Sequence, residues 1–424
     1  MEYKVFGCKV NKYYTDKWLN SDYLAGKWGI FIASCVVTDS AKRKWIKFVK
    51  DTSKEMDPGE KMYISGCGAF KDGRAQSDFF DLYPELDQYR QYIEVLWEDP
   101  DEKNISKDKN AQISIDKSKI SALTAKLQKS AIYTRKYVLI QGGCDSFCTF
   151  CLTVVKRGRH FFRSKEEIAE EIEDFAKNGG KEAVLTWVNL SAWGLKTTND
   201  VKNSRFAELL QYILDHTTIG RLRISSLWPE FIDDACLEIF KNTRIYPHFH
   251  FSAQSGSSSV LKDMRRHYDG PYIKDIMTRT KALKRDDGID ISLWSDIILW
   301  FPGETEQHFQ ETYDFIKEVW IQKVHAFPFS GHNLGESVPA WDFDNQVDGL
   351  AKKQRMKKVA ELSEQIRADF IESQKGKKLQ VLIEQVQWDS FKWWTQNYIE
   401  ATQKNFKISS WSIKRNEIVE GILF

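Results

Sequence analysis

The chain has only nine prolines and seven cysteines in 424 residues, and its 62 basic residues almost cancel its 60 acidic ones. Seven cysteines are too few for a disulfide scaffold in so long a chain, and a reducing compartment would leave them available as thiolates for metal. The near balance of charge gives no global attraction for nucleic acid, so any such binding must come from local basic clusters. No stretch reaches the roughly 20 apolar residues that a membrane span needs. The opening MEYKVFGCKVNKYYTDKW carries charge from its first residues and lacks an apolar signal region. A cytoplasmic location with no membrane attachment is the expectation. Low-complexity tracts and internal repeats are missing as well.

A chain of this length exceeds one ordinary hydrophobic core, so two or three domains are expected. Residues 1–95 alternate short apolar runs (YKVF, WGIFIASCVV, MYISGC) with helix-compatible stretches, the pattern of a small α/β unit with parallel strands. The charged segment DPDEKNISKDKN, Asp99 to Asn110, reads as a linker. From Arg135 onward, strand-like runs (YVLIQGG, EAVLTWVNL, RLRISSL, HFHFSAQ, DISLWSDIILW, KVHAFPFS) alternate with amphipathic stretches such as SKEEIAEEIEDFAKN and ETEQHFQETYDFIKEVW. About six β-α units of this kind fit a complete or partial barrel, with its active site at the C-terminal ends of the strands. LAKKQRMKKVAELSEQIRADFIESQKGKK then reads as a helix ending near Gly376. The runs KLQVLIEQVQ, FKWWTQNYIEAT and EIVEGILF read as strands of a small β-barrel.

The strongest chemical signal is Cys144, Cys148 and Cys151, a C-x3-C-x2-C group directly after the strand-like YVLIQ. Three thiolates on one loop can hold three irons of a 4Fe-4S cluster and leave the fourth open to a small molecule. A zinc site would ordinarily want a fourth protein ligand. Cys8, Cys35 and Cys67 are far apart and, taken singly, would more often be buried apolar residues. Each nevertheless closes a strand-like run, and the carboxyl ends of parallel strands converge on one edge. Cys236, in DDACLEIF, has no such partner and reads as a core residue.

The stretch GCDSFCTFCLTVVKRGRHFFRS resembles the radical S-adenosylmethionine (SAM) superfamily in its methylthiotransferase form. LTWVNLSAWG, RLRISSLWPE, HFHFSAQSGSSSVLKDMRRHY and DIILWFPGETEQHF extend that resemblance along the chain. It implies an α/β fold in three parts: a flavodoxin-like N-terminal methylthiotransferase domain over residues 1–110, a radical SAM partial (β/α) TIM-like barrel over 130–365, and a C-terminal TRAM-like RNA-binding β-barrel over 375–424. It further implies two [4Fe-4S] clusters, one on Cys144, Cys148 and Cys151 and an auxiliary one on Cys8, Cys35 and Cys67. In this family the first cluster cleaves SAM reductively to a 5'-deoxyadenosyl radical, and the open iron of the second is thought to carry the sulfur to be transferred. Phe150 stands where the family has an aromatic residue beside the SAM adenine. Asn189, Ser226 and Gln254 fall at or near strand ends and are candidates to line the SAM or substrate pocket, although each could equally cap a helix or satisfy a turn. No side chain is singled out as a catalytic acid or base. Gly7-Cys8-Lys9-Val10-Asn11 is similar to the branch that modifies N6-threonylcarbamoyladenosine at position 37 of tRNA. The isopentenyladenosine branch and a ribosomal-protein aspartate branch share the layout. The implied partners are tRNA, an external electron donor and a sulfur donor. A non-catalytic iron-sulfur RNA-binding protein is the alternative of another class.

Basic residues Lys156, Arg157, Arg159, His160, Arg163 and Lys165 follow the cysteine loop, where they could attract RNA phosphates or simply form a solvated face. One departure from the family pattern stands out. Trp187, Trp294, Trp300, Trp320, Trp393 or Trp394, and Trp411 occupy positions where related sequences have glycine or another small residue. Tryptophan permits neither close backbone approach nor positive φ without strain. Either the fold has adapted, or UGA codons that mean glycine in the source organism have been read as tryptophan.

Overall fold

The computed structural model describes residues 1–71, 74–75, 77–101, 133–197, 204–332, 337–346, 349–384, 392–408 and 414–424. The linker expected from Asp99 falls outside these residues from position 102 onward, and so does Trp411. No described helix is long and apolar enough to cross a membrane.

Strands β1 (Glu2–Val5), β2 (Gly29–Ser34), β3 (Lys61–Gly66) and β4 (Ile93–Val95) form a parallel sheet in that order. Phe31, Ile32, Met62 and Ile64 are fully buried, because continuous apolar runs suit strands covered on both faces. Helix α1 (Lys9–Leu19) covers one face with Val10, Tyr14 and Trp18. Helix α2 (Asp39–Thr52), whose N-terminus is capped by Thr38 Oγ1 accepting from the Ala41 N–H at 3.1 Å, covers the other with Trp45, Ile46 and Val49. Among the described residues the strand order is sequential, without the reversal at the first strand that marks a flavodoxin sheet. Hydrophobic periodicity reports which segments are strands; it does not report which neighbour each one pairs with.

Strands β5 (Lys136–Leu139), β6 (Glu182–Thr186), β7 (Arg221–Ile224), β8 (Ser226–Leu227), β9 (His248–Gln254), β10 (Ser292–Leu299) and β11 (Lys323–Pro328) are parallel and run as two arcs, β7-β6-β5 and β8-β9-β10-β11. A bridge between Leu222 and Ile245 links the arcs into one partial barrel with β5 and β11 at its edges. Helices α3 (Lys165–Lys177), α4 (Phe206–His216), α5 (Gly270–Ala282) and α6 (Glu306–Val319) alternate with these strands. Helix α3 starts with a capping box between Ser164 and Glu167, and α6 is capped by Thr305. Helix α1 packs against β5 and β6, where Lys12 Nζ donates to the Tyr137 hydroxyl at 3.3 Å, so the N-terminal sheet and the barrel share one continuous core.

Helix α7 (Gly349–Ser373) leads to Gly376, which has φ +76° and begins the last sheet. Strands β12 (Lys378–Leu382), β13 (Lys392–Thr395), β14 (Glu400–Thr402), β15 (Phe406–Ile408) and β16 (Ile418–Leu423) are antiparallel in the order β14-β13-β12-β16-β15. Leu379, Val381, Trp393, Ile399 and Phe406 form their core. This sheet meets the N-terminal end of the barrel: Arg223 Nη1 donates to the Gln396 carbonyl at 3.4 Å, and Tyr398 stacks on His248 at 4.2 Å.

The unusual tryptophans divide into two groups. Trp187, Trp294 and Trp393 are buried, and the Trp187 indole donates to the Gly143 carbonyl at 2.7 Å. Trp300, just after β10, and Trp320, closing α6, hold φ +66° and +61°. That left-handed conformation disfavours a bulky side chain, and glycine takes it freely at a helix C-terminus.

Candidate active site

Cys35 and Cys67 directly follow β2 and β3, Cys8 follows β1 after Phe6 and Gly7, and parallel pairing brings the three strand ends to one edge. All three are free thiols. Burial pushes the Cys35 thiol up to about 12, and the neighbouring Cys67 and Cys8 push in the same direction. Gly7 is required by its surroundings: φ is +102°, and a Cβ there would lie 2.8 Å from Cys35 Sγ. Asn11 Nδ2 donates to the Phe6 and Ser34 carbonyls at 2.7 and 2.8 Å, tying together the loops that carry Cys8 and Cys35. Arg157 Nε donates to Cys67 Sγ at 3.1 Å, its Nη2 donates to Asn11 Oδ1 at 3.1 Å, and its Nη1 pairs with Glu98.

Cys144, Cys148 and Cys151 occupy the loop after β5. Gly143, at φ +61°, allows the turn, since a Cβ would sit 1.8 Å from the Arg159 carbonyl oxygen. Cys144 and Cys148 are buried against Ala192, Leu195, Trp228 and Phe231. Burial pushes the Cys148 thiol up to about 12, and Arg266 opposes that shift by donating from Nη1 to Cys148 Sγ at 3.6 Å. Leu152, next to Cys151, packs with Val36 and Cys67, so the two triads share a wall.

The donor sets suit multi-iron clusters. Among the described residues, the group whose ligand atoms all lie within 4.8 Å of one another is His250, Asp296 and His325, and neither cysteine triad is that compact. Sulfurs around one zinc ion, bound at about 2.3 Å each, could not lie further apart than about 4.6 Å. Three thiolates on a wider triangle, with one position left open, match a 4Fe-4S cluster.

The other sequence-nominated residues lie beside the cysteine loop or at or near strand ends of the barrel. Phe150 packs between the cysteine-loop core and Val260, Met264 and Phe301. Asn189 follows β6 and is 1% exposed, with no hydrogen-bond partner on its amide nitrogen or oxygen among the described residues. Ser226 opens β8 and shares a 2.7 Å hydrogen bond with Ser252. Gln254 ends β9 with φ +68° at an irregularity in the pairing with β10. Cys236 is buried in the core, as expected. The basic run largely turns inward: Lys156, Arg157 and His160 are buried, Arg163 pairs with Glu171 and Lys165 with Glu208, both at 2.7 Å, and Arg159 remains exposed. The cationic surface expected there therefore reduces mostly to internal ion pairs.

Sequence reasoning missed the charged barrel interior. Glu182 is 1% exposed, and it pairs with Arg135 at 3.0 Å, Arg223 at 2.9 Å and Arg221 at 3.9 Å. Burial would raise the Glu182 carboxyl, but Arg135 and Arg223 overcome it and hold it at about 2. Further along, Asp296 meets His250 at 2.9 Å and His325 at 3.4 Å. Lys9 faces the same region: burial pulls its ammonium down to about 7, Arg223 and Arg135 add to the shift, and Asp296 opposes it. Polar residues at alternate positions of RLRIS and HFHFS were the available signal, since period-two spacing puts them on one face of a strand.

The radical SAM superfamily profile matches residues 138–316. The threonylcarbamoyladenosine tRNA methylthiotransferase MtaB of Bacillus subtilis (strain 168) is 28% identical, over 95% of this chain and 90% of that protein. Its namesake from Thermotoga maritima is 30% identical, over 90% of this chain and 86% of that protein. A tRNA-2-methylthio-N(6)-dimethylallyladenosine synthase from Desulforamulus reducens is 32% identical, over 59% of this chain and 53% of that protein. With two convergent cysteine triads at the ends of parallel strands and this likeness along nearly its full length, the chain belongs to the radical SAM tRNA methylthiotransferase family, in the MtaB-like branch.

Proposed function

We propose that this protein transfers a methylthio group to C2 of N6-threonylcarbamoyladenosine at position 37 of tRNA. The observation that carries the reading is the meeting of two three-thiol sites across the wall formed by Leu152, Val36 and Cys67. Cys144, Cys148 and Cys151 would hold the cluster that binds SAM, and Cys8, Cys35 and Cys67 the auxiliary cluster. When bound, the first cluster supplies the electron for reductive cleavage of SAM, and the second supplies an open iron for sulfur. The protein positions these groups and keeps them dry: Arg266 and Arg157 donate to Cys148 and Cys67, and Phe150 and Trp228 wall the cysteine loop with apolar surface.

The three-part division, residues 1–110, 130–365 and 375–424, is part of the same proposal, with the last part as a TRAM-like RNA-binding domain. Its partly buried Trp394 stacks with Tyr398 at 4.7 Å, and Tyr398 in turn stacks on His248, which fastens this part to the barrel. The reaction also requires an external electron donor and a sulfur donor, and it takes place where tRNA is processed, in the cytoplasm.

The test is nucleoside mass spectrometry on tRNA from cells lacking the gene, with and without complementation in the native code. The methylthio form of threonylcarbamoyladenosine is expected on complementation. Its absence, with both clusters loaded, would overturn the reading, and methylthio-isopentenyladenosine in its place would move the protein to the other tRNA branch.

A further inference from the structure

We propose that His250, Asp296 and His325 form a third metal centre, separate from the two cysteine triads, which binds one divalent transition-metal ion at the last three strands of the barrel. The three residues sit on β9, β10 and β11, which are adjacent and parallel. Asp296 and His325 are direct register partners, and His250 pairs with Trp294, two residues before Asp296. Side chains two apart on a strand share a face, so the register alone brings one carboxylate and two imidazoles together. Their ligand atoms all lie within 4.8 Å of one another.

The separations fit one shared ion. Asp296 Oδ1 lies 2.9 Å from His250 Nε2 and 3.4 Å from His325 Nδ1. Ligand atoms bound to one ion at about 2.1 Å stand roughly 3.0 Å apart across a right angle and roughly 3.4 Å apart across a tetrahedral one. A plain histidine–aspartate pair is the competing account, and it needs an N–H aimed at the carboxylate. His250 Nε2 is buried and has no hydrogen-bond partner among the described residues, even with Asp296 Oδ1 at 2.9 Å, so that contact lacks the alignment of a hydrogen bond. A ring nitrogen and a carboxylate oxygen that approach without pointing at each other have the geometry of two ligands pointing at a third atom.

Two imidazoles and one carboxylate, with further positions open, are the donor set of zinc and non-haem iron sites. Magnesium and calcium take mostly oxygen ligands. Lys9 lies within electrostatic reach of Asp296 and opposes any cation there, so the ion is held by its bonds to nitrogen more than by the local field, which disfavours the alkaline-earth ions further. The side chains of His250, Asp296 and His325 are 14%, 24% and 35% exposed, which leaves an entry path and room for water or another oxygen ligand. Backbone register sets this geometry, and the Trp294 ring supplies none of the ligands.

The test uses holoenzyme with both cysteine triads loaded with iron, so that their thiolates are taken. Zinc is added, the excess is removed by gel filtration, and zinc is counted per chain. Wild type should retain about one equivalent in the presence of excess magnesium, and X-ray absorption at the zinc edge should show nitrogen and oxygen neighbours at about 2.0–2.2 Å with no sulfur at about 2.3 Å. Asp296→Asn and His325→Gln should each weaken zinc binding by more than the roughly 10–100-fold that loss of an outer-shell partner costs, with iron content unchanged. If Asp296→Asn loads less iron, His325→Gln, on the edge strand β11, carries the comparison, and the wild-type scattering shell stands independently of either variant. No zinc on wild type, sulfur in its shell, displacement by magnesium, or full zinc in both variants would each overturn the assignment. The centre does not depend on which nucleoside is modified, so its failure leaves that reading untouched.

Discussion

The two cysteine triads reach the same donor set by opposite routes. Cys144, Cys148 and Cys151 lie on one loop, where Gly143 and the turn after β5 fix their relative positions. Cys8, Cys35 and Cys67 are dispersed through the first 67 residues and meet because β1, β2 and β3 run parallel and end together. A loop-borne site depends on local backbone; a sheet-borne site depends on every strand register and on Asn11 and Arg157, which tie its loops together. The difference teaches that equal chemistry can carry very unequal sensitivity to the fold.

The sharpest way to separate the triads is to delete one thiol from each. Cys148→Ala should abolish SAM cleavage, measured as loss of 5'-deoxyadenosine. Cys35→Ala should leave cleavage in place and abolish methylthiolated tRNA, with bound iron reduced by about half in either variant.

Next in size is the barrel end farthest from the triads. Glu182→Gln leaves buried arginines without their shared carboxylate and should cost about 3–5 kcal/mol at neutral pH, read by denaturant unfolding. The folded Glu182 carboxyl is held at about 2, below its ordinary 4.5. Its stabilisation is therefore complete above that ordinary value and is lost as pH falls toward 2. A melting temperature followed across this window should fall in the wild type and vary less in Glu182→Gln.

A smaller perturbation tests the dependence of the sheet-borne site on its close contacts. Gly7→Ala forces a Cβ against Cys35 Sγ at a positive φ and should cost about 1–2 kcal/mol. Iron at the N-terminal triad should fall while SAM cleavage continues; equal loss at both triads would mean that they assemble as one unit.

The smallest effects concern backbone strain. Trp300→Gly and Trp320→Gly should each relieve about 1 kcal/mol of left-handed backbone strain, offset by the core packing these partly buried rings lose, so the net change in stability should be small. The gene should read UGA at these codons, and UGG would sink the decoding explanation.

Much of this was legible in the sequence. The cysteine loop announced itself through spacing, and helices α3 and α6 through the amphipathic pattern behind Ser164 and Thr305. The strand-end positions of Asn189, Ser226 and Gln254 followed from the alternation of runs: Asn189 lies after β6, Ser226 just after β7 and Gln254 at the end of β9. The basic run was misleading: whether Arg157 faces RNA or a cysteine depends on the sheet packed against it, and here it turns to Cys67 and Glu98. The order of strands in the N-terminal sheet was similarly beyond reach, since pairing partners are chosen between segments far apart in the chain.

By itself the sequence determined the donors and the local frames: three cysteines on one loop after a strand-like run, and three more that each close a run of their own. Tertiary structure alone decided that the two triads share a wall, that Arg157 serves the auxiliary site, and that Glu182 is shared among Arg135, Arg221 and Arg223. The reason is physical. Spacing and periodicity act over a few residues, whereas charge and packing act through space and depend on which surfaces the folded chain brings together.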